Sequence, residues 1–171
     1  MCLLLPMSAF AQAVAALPSQ VEAVYLFNFT QFVTWPAEAF GAPDDPLVIC
    51  ILGEDPFGRY LDETIAGEKA QDRPLLVRRF AQADQADHCH IAFIGRSESA
   101  QLTDLVRRLG ARGTLTVSDL EYFGRFGGMV RFVVENRRVR LRVNVDAARA
   151  AGLTISSKLL RIAEIVTTER P

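Results

Sequence analysis

The stretch Thr114–Ile165, TLTVSDLEYFGRFGGMVRFVVENRRVRLRVNVDAARAAGLTISSKLLRIAEI, decides how this chain folds. It contains two alternating runs, MVRFVVE (129–135) and RVRLRVN (138–144), separated by Asn136 and Arg137. A two-residue turn there sets Val134 opposite Val139, Phe132 opposite Leu141 and Val130 opposite Val143. The other face then pairs Glu135 with Arg138, Val133 with Arg140 and Arg131 with Arg142. One face is apolar and the other almost wholly charged, the pattern of a half-buried antiparallel hairpin. Slipping one strand by one residue would set charged side chains against the apolar row, so the register is well specified. Asn136 suits a tight turn, whereas Arg137 stands where glycine is usually preferred, which leaves the turn type open.

Upstream of the hairpin the pattern changes. SQVEAVYLFNFTQFVTW (19–35) opens after Pro18 with Ser19 as capping residue and stops at Pro36, which predicts a helix. LVICILG, PLLVRRF, HIAFIG and TLTVSD read as strands. GEDPFGRYLDETIAG and SESAQLTDLVRRLG read as helical connections, the second capped by Ser97. Strand and helix in alternation indicate a parallel α/β sheet, with the hairpin closing it as an antiparallel edge. After the hairpin, Asp146 caps a short helix and Ser156 or Ser157 begins a last one, SKLLRIAEIV. The expectation is one three-layer α/β/α domain over residues 18–168, mostly parallel, with a C-terminal antiparallel hairpin.

Half of the 171 residues are apolar, enough for one good core, and the net charge of −1 speaks against general nucleic-acid binding. Residues 1–15, MCLLLPMSAFAQAVA, read as a signal-peptide remnant: an apolar core followed by Ala9–Phe10–Ala11, a small-x-small cleavage pattern. A short buried N-terminal segment is the alternative. The segment is too interrupted for a membrane anchor, so no membrane insertion is expected after processing. Without it two cysteines remain, Cys50 and Cys89, in strand-like runs that could neighbour each other. An even count in an exported protein favours a disulfide, with two buried thiols as the alternative.

Catalytic and cofactor signals are weak throughout. Gly53 and Gly58 have the outer spacing of a phosphate loop, but Arg59 and Tyr60 stand where lysine and a hydroxyl residue belong. His88, Cys89 and His90 are too few ligands for zinc, and no other histidine exists. No G-x-S-x-G elbow is present, and Ser157–Lys158 lacks the S-x-x-K spacing. No catalytic residue, metal or cofactor is expected.

Two surfaces stand out instead. Arg131, Arg138, Arg140 and Arg142 share the charged hairpin face, where Glu135 leaves about +3, a field able to steer an acidic partner. A solvated edge that blocks aggregation is the bland alternative. The first predicted helix carries more apolar residues than one core-facing stripe needs. Either it is deeply buried, or part of Tyr25–Trp35 (Tyr25, Phe29, Phe32 and Trp35) contacts another chain, most simply a second copy.

AVYLFNFTQFVTWP (23–36), ICILGEDPFG (49–58), CHIAFIG followed by SES, LTVSD, FGG before the hairpin and NVDAARAAGLTISSKLLRIA (144–163) together resemble the YfiR-like periplasmic proteins. The resemblance runs from about Val21 to Val166. It implies an α/β sandwich, a periplasmic location, frequent dimerisation and no catalysis. It also implies a regulator that binds and inhibits an inner-membrane signalling protein, a diguanylate cyclase of the YfiN type, in cyclic-di-GMP control. By position, Cys50 and Cys89 match a disulfide pair of that family, while a second pair before the hairpin has no equivalent here. The alternative function is a small-ligand sensor feeding a histidine kinase or another receptor. Its pocket would lie at the sheet's carboxyl ends around Gly53, Asp55, Phe57 and Ser118.

Overall fold

The computed structural model describes residues 16–167, so the signal-like segment lies outside the described residues. In chain order the elements are α1 (Pro18–Phe32), β1 (Val33–Thr34), β2 (Leu47–Leu52), α2 (Arg59–Ile65), β3 (Lys69–Ala70), β4 (Arg73–Phe80), β5 (Ile91–Ile94), α3 (Leu102–Ala111) and β6 (Leu115–Ser118). There follow β7 (Val130–Glu135), β8 (Arg138–Asn144), α4 (Val145–Ala150), β9 (Thr154–Ile155), α5 (Ser157–Leu160) and β10 (Ala163–Val166).

Eight strands form one sheet in the order β10-β8-β7-β6-β5-β2-β4-β3. Every pairing from β4 through β7 is parallel. The two central strands β2 and β5 are buried along their whole length, as continuous apolar runs covered on both faces require. One face is covered by α1 and α2, whose Leu26, Phe29, Leu61 and Ile65 meet Ile49, Ile51, Phe93 and Phe132 in the larger core. The other is covered by α3, where Leu102, Leu105, Val106 and Leu109 meet Cys50, Leu52, Ala92 and Ile94. The arrangement is the expected three-layer α/β/α domain.

The hairpin forms in the register read from its alternation: Val134 opposite Val139, Phe132 opposite Leu141, Val130 opposite Val143, and Arg131 opposite Arg142. Asn136 and Arg137 both have positive φ, 50° and 61°, which makes the turn type I′. That twist matches the strands, and Arg137 bears the steric cost a glycine would avoid. The apolar face is not buried to its tip. Phe132 and Leu141 are in the core, whereas Val134 is 51% exposed.

Several local expectations are corrected. The hairpin is not the sheet edge, because β10 pairs in parallel outside β8. The last helix is only α5, four residues long, and its expected continuation is that edge strand. The apolar run RIAEIV is too short for periodicity to separate helix from strand. Asn144, not Asp146, caps α4 by accepting the Ala147 N–H at 2.9 Å. Ser19 lies inside α1 rather than capping it, and the Leu17 N–H is bound by the Gln20 side chain at 3.1 Å. Ser97 does not cap α3: its hydroxyl accepts the Glu54 N–H at 2.9 Å, tying the turns after β5 and β2 together.

Candidate functional site

The cysteines of the sequence reading are joined. Cys50 on β2 and Cys89, just before the adjacent parallel strand β5, form a disulfide with Cα atoms 5.7 Å apart. Cys89 is therefore no thiolate ligand. The His90 ring is spent on backbone: Nδ1 accepts the Val48 N–H at 3.1 Å, which puts the proton on Nε2, 3.1 Å from the Ala39 carbonyl. Among the described residues no group of three histidine, cysteine or acidic side chains could hold a metal ion.

The residues proposed for a ligand pocket at the carboxyl ends have structural work. Asp55 accepts the N–H groups of Phe57 and Gly58 and binds Arg79 Nε at 2.7 Å, fixing the turn into α2. Arg79 also grips Asp62, and that bond holds the Asp62 carboxyl below its usual range. Phe57 packs edge-on against Phe93, their ring centroids 4.7 Å apart. Ser118 is fully buried and donates to the Ile94 carbonyl at 2.7 Å. At Gly53 a Cβ would fall 2.1 Å from the Ser97 hydroxyl and 2.6 Å from Glu98, so that space is filled.

A cleft does open at this end of the sheet, but beside those residues. It is lined by Glu22, Glu54, Phe93, Arg96, Asp119 and Val134, among others, and has a volume of about 440 Å³. Its place has a topological cause. The chain passes from β2 through α2 to β4 on one side, then returns across β2 to β5 on the other. Such switch points leave a crevice outside the carboxyl ends of the strands. Glu22 projects from the second turn of α1 and is only 5% exposed, yet it makes no hydrogen bond among the described residues. Burial pushes its carboxyl up to about 7, with Asp119 adding to the shift and Arg96 opposing it. Asp119 binds Arg96 through Oδ2, at 2.9 and 2.8 Å, while its Oδ1 is buried without a partner.

The shift of Glu22 fixes the sign of a pH effect. From its usual 4.5 up to about 7 the unfolded chain loses this proton and the folded one keeps it, so folding weakens with rising pH across that window. Glu22→Gln is expected to leave stability nearly unchanged near the lower value and to raise it above the upper one, by about 3 kcal/mol. Urea unfolding at both pH values checks this, and equal effects at both would contradict it.

The hairpin arginines share one face, as read, but not as four free charges. Arg140 lies 3.4 Å and Arg142 3.8 Å from Glu135, and Arg142 Nε binds Glu164 of β10 at 2.9 Å. Glu164 was missed because its strand was read as helix. Arg131 and Arg138 make no ion pair among the described residues, and Arg131 Nε is buried without a hydrogen bond. Burial, with Arg142 directly opposite, pulls the Arg131 guanidinium below the usual arginine range. A shallow cleft of about 260 Å³ opens beside Arg131, Arg142 and the Tyr122–Gly128 turn.

Of the helix residues offered for contact with a second chain, Phe29 and Trp35 are core residues and cannot serve. α1 is wrapped on several sides: Tyr25, Phe29 and Phe132 form an aromatic cluster with centroids about 6 Å apart, and Trp35 Nε1 donates to the His90 carbonyl at 3.2 Å. The apolar excess of the helix is mostly core. Tyr25 and Phe32 are half-buried, and Leu17 and Val24 are exposed. Glu22 could have been suspected in the sequence as the one charge in an apolar run. Asp119 was accessible through the carboxyl-end rule that nominated its neighbour Ser118.

These features define an α/β domain with two candidate binding surfaces, a carboxyl-lined cleft at the switch point and a cationic sheet face on the hairpin. The chain belongs to the YfiR/HmsC-like family, DUF4154, which matches residues 19–164. Comparison with curated proteins gives no match. Among solved structures, a conserved domain protein from Vibrio cholerae O1 biovar El Tor is similar with a TM-score of 0.53 and 10% identity, over 70% of this chain and 54% of that one. An ABC domain from Streptococcus pneumoniae, solved in complex with L-Trp, is similar with a TM-score of 0.53 and 11% identity, over 87% of this chain and 60% of that one. This chain thus spans little more than half the length of each, and at such identities the likeness is one of fold. No helix among the described residues is long and apolar enough to cross a membrane.

Proposed function

We propose that this protein is a periplasmic regulator that binds and restrains an inner-membrane signalling protein, a diguanylate cyclase of the YfiN type, through the arginine face of its hairpin. Family membership across residues 19–164 carries the reading, and the cationic face supplies the means. Arg131 and Arg138 have guanidinium groups not spent on ion pairs among the described residues, and guanidinium binds carboxylates in a bidentate, directional way. Glu135 and Glu164 hold Arg140 and Arg142 in place on the same face. A homodimer through α1 would use Leu17, Val24, Tyr25 and Phe32. A second reading, a small-ligand sensor feeding a histidine kinase, is favoured by the buried, unbonded Glu22 in its cleft.

Arg138 and Arg140 are both exposed, so Arg138→Glu with Arg140→Glu should cost less than about 1 kcal/mol of stability. The double variant should bind the periplasmic part of the partner about tenfold more slowly at low salt and with a weaker salt dependence. Stopped-flow association rates measure both. A folded double variant that associates at the wild-type rate would leave the arginines as a solvated face.

A further inference from the structure

Glu22 is a buried acid with nothing bound to it. A carboxyl enclosed to this degree, with no donor of the protein on it, is open only to what enters the cleft it lines. Its neighbours in the cleft sharpen what that occupant is. Asp119 offers a carboxylate with one oxygen already held by Arg96 and the other bonded to nothing. Glu54 adds a third carboxylate, so three acids stand against the one guanidinium of Arg96. Apart from Ser19 the remaining wall carries no polar side chain, and Leu17, Pro56, Phe93 and Val134 supply its apolar surface. We infer that this cleft binds a small molecule carrying a protonated amine on an apolar body, with Glu22 and Asp119 receiving the ammonium group.

The chemistry fits each part. An ammonium group brings three donors and no acceptor, which suits a Glu22 carboxyl without a donor beside an Asp119 carboxylate with one oxygen unbonded. A divalent cation is a poorer fit, since no three such side chains converge closely enough among the described residues. A volume of about 440 Å³ accommodates a small molecule, and Glu22 is set too deep for a flat protein surface to reach. Binding an ammonium ion favours ionised Glu22, so uptake of the amine should release a proton. Asp119 after β6 and Arg96 after β5 are the charges that act on Glu22, and Glu54 after β2 lines the same cleft.

This inference rests on the small-ligand reading of the cleft and is independent of the arginine face. It is tested by titrating the whole protein calorimetrically with phenethylamine, phenethyl alcohol and hydrocinnamate. Phenethylamine should bind saturably, and about tenfold more weakly near pH 6 than near pH 8 as Glu22 takes up its proton. Glu22→Gln and Asp119→Asn should each weaken it about tenfold, the value of one charged hydrogen bond. Since Glu22→Gln removes a buried acid, it should fold at least as well as the wild type. Binding of the alcohol or the carboxylate as tightly as the amine would overturn the amine assignment and leave a small-ligand cleft standing. So would amine binding indifferent to Glu22→Gln in the folded variant. No saturable binding of any of the three would overturn both.

Discussion

Replacing Cys50 and Cys89 together by alanine is expected to lower the melting temperature by about 10 °C under oxidising conditions. The disulfide closes a loop with a sequence separation of 39 residues, for which loop-closure entropy gives about 4 kcal/mol. That is a large part of the roughly 5–15 kcal/mol a domain usually has. The bridge also ties the two central strands: Cys50 lies within β2, and Cys89 leads into its parallel neighbour β5. The paired alanines avoid leaving one buried thiol or hydroxyl behind. Calorimetric melting of the oxidised wild type, the reduced wild type and the double variant checks the expectation. The last two should agree within a few degrees, and a double variant as stable as the oxidised wild type would show that the bridge stabilises nothing.

The second large effect belongs to the hairpin. Phe132→Ala should cost about 3–5 kcal/mol, the range for removing a fully buried aromatic side chain. Phe132 is 1% exposed and lies 6.0 Å from Phe29, 6.1 Å from Tyr25 and 6.4 Å from Phe93, centroid to centroid. It thus joins the hairpin, α1 and β5 in one aromatic cluster. Val134→Ala, two residues further on the same face, should cost under about 0.5 kcal/mol because that side chain is already in water. Chemical unfolding of both variants measures the contrast. Equal costs at the two positions would mean that the hairpin is seated otherwise than described.

The same contrast shows what the sequence could convey. Alternation with a two-residue spacer determined which hairpin residue opposes which, because a slip would bury charge. It could not say how far along the hairpin burial extends, and Val134 is exposed. The parallel strands were legible as short apolar runs between turns, and β2 and β5 sit where the cysteines would bridge. β10 was not legible, since four residues of an apolar stretch suit either element until a neighbour is available to pair. That single miss concealed Glu164 and made the arginine face look more strongly positive than it is. The excess of apolar residues on α1 has a packing cause: the helix is enclosed by the sheet, by α2 and by the short β1–β9 ribbon. Its one buried acid, Glu22, is the residue that this packing does not explain.

The claim that this domain restrains a membrane-bound diguanylate cyclase is tested most directly by the cyclic-di-GMP content of cells with its gene intact, deleted and restored. Restraint requires the level to rise on deletion and to return when the wild-type chain is supplied. It should stay raised when the folded Arg138→Glu/Arg140→Glu chain is supplied instead. A level that does not change when the gene is deleted would contradict the account.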